Sequence, residues 1–222
     1  MIIRNKLAAV SAVAAFTFAS ASAAVLYSQT PHDPNFGYFA DGAPGQFWDQ
    51  RIADNFSLGI QSDITKITWW GGSENFVFPD LTNFSHFVLR VYNDSAGSVG
   101  GEVFNITLTT ANTNPVAVGT STSGATIYRQ EANVAFSLAA GNYWLSVGSV
   151  NISPGDDGYV WSFAQNTYDG VFAAELGFGS GYQNFQGAEV AFQIEGDPVP
   201  EPATMLALGV GLAALAARRR RK

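Results

Sequence analysis

The chain has 222 residues, a net charge of −7, 14% aromatic residues and no cysteine. Disulfide staples, cysteine metal sites and thiol catalysis are therefore excluded. The charge is unevenly spread. Arg4 and Lys6 lie near the start and five cations close the chain, so only Arg51, Lys66, Arg90 and Arg129 stand against every acidic residue but Glu201. The stretch between the two basic ends carries about −13, which disfavours nucleic acid and anionic lipid as partners.

Taken in chain order, the first element is an export signal. Arg4 and Lys6 form a basic start, Leu7 to Phe18 is an apolar stretch too short to span a bilayer, and Ala21-Ser22-Ala23 is an A-x-A cleavage pattern. Residues 1–23 are expected to be a signal helix removed before Ala24.

Residues 24–196 are expected to be one domain, long enough to bury a core without disulfides. Its opening loop holds His32, Asp33, Asn35 and Asp41. Asp33 and Asp41 are candidate calcium ligands, since carboxylate and carbonyl oxygens suit that ion, but neither an EF-hand loop nor a G-G-x-G-x-D repeat is present. No other cofactor is expected.

Short alternating runs follow. Ile67 and Trp69 alternate with Thr68 and Trp70. Phe87, Leu89 and Val91 alternate with Val88, Arg90 and Tyr92. The same pattern recurs around Phe104–Leu108, Val134–Leu138, Tyr143–Val147, Tyr159–Phe163 and Val190–Ile194. Turn signals separate them at Asn93-Asp94, Gly100-Gly101, Ser123-Gly124, Gly141-Asn142, Asp157-Gly158 and Asp169-Gly170. Period-two runs at this spacing predict an all-β fold, a jelly-roll-like β-sandwich. Asn166 to Gly187 has no period and reads as a long loop with at most one short strand. Asp197-Pro198 reads as the start of a linker to the tail.

Little in the body points to catalysis. His32 and His86 are the two histidines, and neither a nucleophile elbow nor H-E-x-x-H accompanies them. Asp156, Asp157, Glu175 and Glu189 could supply a glycosidase pair only if the fold brought two of them together. Five N-x-S/T triplets start at Asn55, Asn83, Asn93, Asn105 and Asn151, as expected of an Asn/Ser/Thr-rich chain. Among the five tryptophans, Trp70 and Trp144 each follow a residue of the apolar face, so a strand turns them to the opposite face. They are the candidate sugar-stacking residues, or else that second face is covered.

The tail, expected over 197–222, has three parts. Val199, Pro200, Glu201 and Pro202 come first, then an apolar run from Ala203 to Ala217, then Arg218, Arg219, Arg220, Arg221 and Lys222. As a helix the apolar run spans about 22 Å, short of a hydrocarbon core of about 30 Å. The cations resist translocation and act as a membrane stop.

This ordered combination resembles the PEP-CTERM sorting domain of Gram-negative bacteria. The resemblance covers about the last 25 residues. It implies recognition of Pro200, Glu201 and Pro202 by an exosortase, processing of the tail, transient contact with the inner membrane, and delivery to the surface or to an exopolysaccharide or biofilm matrix. The absence of LPxTG and the basic end set it apart from sortase and glycolipid-anchor signals. Three body segments, Ile52 to Leu58, Trp69-Trp70-Gly71 and Ala140 to Ser146, also resemble stretches of other PEP-CTERM proteins and carry no activity with them. The expected function is an exported, non-enzymatic surface or matrix protein. A carbohydrate-binding module and a secreted hydrolase are the alternatives.

Overall fold

The computed structural model describes residues 23–31, 37–46, 49–73, 80–152, 158–164, 169–199, 209–211 and 218–219. The expected signal helix with Ala21 lies outside these residues. So do His32, Asp33, Asn35, Asp156, Asp157, Pro200, Glu201, Pro202, Arg220, Arg221 and Lys222.

The strands are β1 (Ala24–Gln29), β2 (Gly37–Phe39), β3 (Gln50–Leu58), β4 (Ser62–Ser73), β5 (Phe84–Asp94), β6 (Val99–Thr109), β7 (Val116–Thr120), β8 (Thr126–Leu138), β9 (Gly141–Asn151), β10 (Tyr159–Ser162), β11 (Val171–Leu176), β12 (Gln183–Gln186) and β13 (Phe192–Pro198). They form two antiparallel sheets, the expected β-sandwich. In the seven-stranded sheet, β4 pairs on one side with β8, which carries β7. On its other side it pairs with β13 and then, further along, with β10. β1 lies outside β13, and β2 outside β10. The six-stranded sheet runs β12-β11-β3-β9-β5-β6.

The alternation seen in the sequence is the alternation between core and outer face. Ile64, Ile67 and Trp69 of β4 meet Phe87, Leu89 and Val91 of β5 and Tyr143, Leu145 and Val147 of β9 in one buried cluster. Trp69 lies 5.9 Å from Phe87, and Phe87 lies 4.9 Å edge-on to Tyr159. The polar ends of buried rings find partners. Trp161 Nε1 donates to the Ala191 carbonyl at 2.8 Å, and the Tyr159 hydroxyl donates to Gln130 Oε1 at 2.9 Å. Each such side chain stabilises the fold by about 3 kcal/mol through removal from water.

Three segments depart from the sequence expectation. Asn166 to Gly187 contains the hairpin β11–β12 where one strand at most was expected. Four consecutive residues of β11, Phe172 to Glu175, are buried, so its two-sided burial erases the alternation. β7 is exposed along its whole length and shows no apolar face either. Asp197 and Pro198 are not a linker. They close β13 opposite Asp63 and Ser62 of β4, and Pro198 sits at the strand end, where a missing N–H is tolerated.

A candidate export tail and a polar groove

The tail leaves the sandwich without slack. Val199 N still donates to the Gln61 carbonyl at 2.8 Å, so the Pro200-Glu201-Pro202 motif begins one residue beyond a paired backbone. At the other end Ala23 directly precedes β1, so cleavage there would leave that strand whole. Residues 209–211 and 218–219 are helical, with Val210 63% exposed. Among the described residues no helix is long and apolar enough to cross a membrane.

Trp70 and Trp144 both point away from the main core, but they do not form a shared strip. Trp70 is half-buried on the outer face of the seven-stranded sheet, paired across to Arg129. Trp144 is on the other sheet and only 1% exposed. It joins Ala53, Tyr92 and Ala173 in a small second cluster, with Val99, Val171 and Tyr182 packed over it. The two rings therefore lie on opposite sides of the sandwich, and the carbohydrate alternative loses the paired platform on which it stood. The physical reason is that β4 and β9 belong to different sheets, so outward on each means opposite directions.

Asp41, the calcium candidate within the described residues, is buried. Its Oδ2 accepts from Gln50 N at 3.2 Å, and its own N–H bonds the Gln50 carbonyl at 2.7 Å. The Asp41 backbone also passes close over Gly148 of β9, where a Cβ would stand 2.4 Å from the Asp41 carbonyl oxygen. Among the described residues no three His, Asp or Glu side chains gather to hold a metal.

The histidine and carboxylates have structural partners. Ser85 Oγ donates to the Val150 carbonyl at 2.9 Å and lies 2.8 Å from His86 Nδ1. Glu175, nearly fully buried, pairs with Arg51, and its Oε1 accepts from the N–H groups of Gly179 and Gly181. Arg51 in turn lies over the rings of Phe178 and Tyr182. Glu189 Oε1 accepts from Asp169 N at 2.7 Å and Gly170 N at 2.9 Å.

Asp54, not singled out by the sequence, lies inside the sandwich and is fully buried. Its oxygens accept from Val190 N at 2.7 Å and Asn55 N at 2.8 Å. Burial pushes its carboxyl well above the usual carboxylate range, against the pull of those two N–H groups, and the neighbouring Glu189 charge pushes the same way.

Next to it, on the outer face of the six-stranded sheet, is a groove of about 460 Å³. Strand register builds it: Asn55 is opposite Trp144, Ser57 is opposite Asn142, and Val171 is opposite Gln186. The β5–β6 turn supplies Asp94 and Gly97, and the turn before β11 supplies Asp169.

An all-β body displayed between an N-terminal leader pattern and a C-terminal address is the plan of an exported protein. A family model for the PEP-CTERM protein-sorting motif matches residues 198–221, and through that tail the chain is a PEP-CTERM sorting domain-containing protein. The match covers the tail and, of the sandwich, only its last residues. No curated protein matches the chain. The motif implies recognition by an exosortase and export to the cell surface or extracellular space.

Proposed function

We propose that the protein is a non-enzymatic component of the cell surface or extracellular matrix. Its signal is removed before Ala24, and its tail is held transiently at the inner membrane and then processed by the exosortase. The observation that carries this is the ordered tail: the Pro-Glu-Pro motif, an apolar run too short for comfortable spanning, and a basic stop. A run of that length suits a segment recognised and released better than a lasting anchor. The matrix role is supported by the strongly acidic body, which stays soluble at high local concentration. The absence of catalysis is supported by the structural duties of Glu175, Glu189 and Ser85.

Intact-mass spectrometry of the exported protein tests this. The expected mass lacks residues 1–23 and part or all of the segment after Pro202. A mass matching Ala24 to Lys222 would overturn processing and leave the tail as a plain anchor.

A further inference from the structure

The groove on the six-stranded sheet is more than a dip between strands, because its walls are fixed from beneath. Asp94 is held at both oxygens: Oδ1 accepts from Trp144 Nε1 at 2.9 Å and Oδ2 from Gly97 N at 2.9 Å. Asp169 is held the same way, Oδ2 by Asn55 Nδ2 at 2.8 Å and Oδ1 by Val171 N at 2.8 Å. The turn carrying Asp169 is itself pinned by buried Glu189. Asn184 Nδ2 donates to the Gly97 carbonyl at 2.6 Å and so ties the β12 wall to the β5–β6 turn. Side chains locked by such supporting bonds are what a preorganised site requires.

The lining selects a ligand class. No Lys, Arg or His lines the groove among the described residues, so an anion has no partner there. No group of three metal-holding side chains occurs among the described residues, so nothing there marks the groove as a cation site. Apolar contact is confined to Phe56, Val171, Trp144 and the Gly97 turn, too little for a lipid chain. What remains is a wall of planar amides and carboxylates. Each carboxylate oxygen already accepting one hydrogen bond keeps acceptor capacity for another, and Asn142 and Gln186 supply both donors and acceptors. Adjacent hydroxyls on a ring match that pattern, and their neutrality suits a body that repels anions.

We propose that this groove binds a neutral saccharide, held by the side chains of Asp94 at the end of β5, Asn142 of β9, Gln186 of β12 and Asp169 in the turn before β11, rather than by tryptophan stacking. The inference does not rest on the tail. A failure of sugar binding would leave the export reading untouched, and a retained tail would leave the groove untouched.

The test is affinity gel electrophoresis of the full exported chain in gels containing a neutral glucan, a neutral mannan or a neutral galactan, with an acidic polysaccharide as control. Retardation by at least one neutral polymer and not by the acidic one is expected. Asn142 and Gln186 are both exposed, so N142A/Q186A should fold with an unchanged melting temperature. That double variant should bind about tenfold more weakly through loss of two hydrogen-bonding groups. W70A, on the opposite sheet, should bind as wild type. No retardation by any neutral polymer, undiminished binding by folded N142A/Q186A, or loss of binding in folded W70A would each overturn the proposal.

Discussion

Ala24 and Gly196 face each other across β1 and β13. The residue expected to become the new N-terminus is thus paired with one near the end of the body, and both chain ends leave the sandwich along the same pair of strands.

Gly196 is also where this arrangement is tightest. A Cβ there would stand 2.2 Å from the Asp63 carbonyl oxygen of β4, at the β13 bulge. G196A should cost about 2 kcal/mol of stability. Urea unfolding of the exported protein measures this, and an unshifted midpoint would mean the backbone yields there at no cost.

Trp144 and Trp70 should respond very differently to truncation. W144A empties a covered cluster and strands the Asp94 carboxylate, for a loss of about 4 kcal/mol. W144F keeps an aromatic ring but loses the pyrrole half of the indole with its N–H donor, and should lose about 2 kcal/mol, less than W144A. W70A, at a half-buried site, should lose less than W144A. Thermal melts of the three variants check the order.

The buried Asp54 predicts an unusual pH response. Its folded carboxyl holds its proton more tightly than the ordinary value of 3.8. The resulting stabilisation is complete below that ordinary value and is lost as pH rises through the folded value. Stability from this group should therefore fall on going from acid toward neutral. D54N should flatten that slope, measured by urea midpoints at several pH values. Asp80, whose carboxyl is lowered by the Thr82 hydroxyl and N–H, acts with the opposite sign, so the comparison must be between D54N and wild type.

Glu175 ties the glycine-rich segment after β11 to Arg51. E175A would leave the Arg51 charge without its partner in a partly buried site and should cost about 3 kcal/mol. Amide hydrogen exchange at Gly179 and Gly181, whose N–H groups Glu175 accepts, should speed up before exchange in β3 does.

The sandwich was legible where a strand has one wet face. Phe104, Ile106 and Leu108 announce β6 because the exposed Asn105, Thr107 and Thr109 fall between them. β11 was not legible, because Ala173 and Ala174 are both buried, one on each face. β7 was not legible because neither face is buried. The tail could be read directly, since its meaning lies in a contiguous string and not in a fold. The groove could not. Asn55, Asn142 and Gln186 are ordinary polar residues far apart in the chain, and only the register of β3, β9, β11 and β12 brings them together. Nor could the sequence reveal that Trp70 and Trp144, alike in local pattern, would end on opposite sheets.

β13 is an interior strand, flanked by β1 and β4, yet it is the last strand of the body in chain order. The seam between β1 and β4 therefore closes only with the residues up to Pro198 in place. Once the seam is closed, the last backbone bond, from Val199 to Gln61, lies directly before the Pro200-Glu201-Pro202 motif with no residue between them.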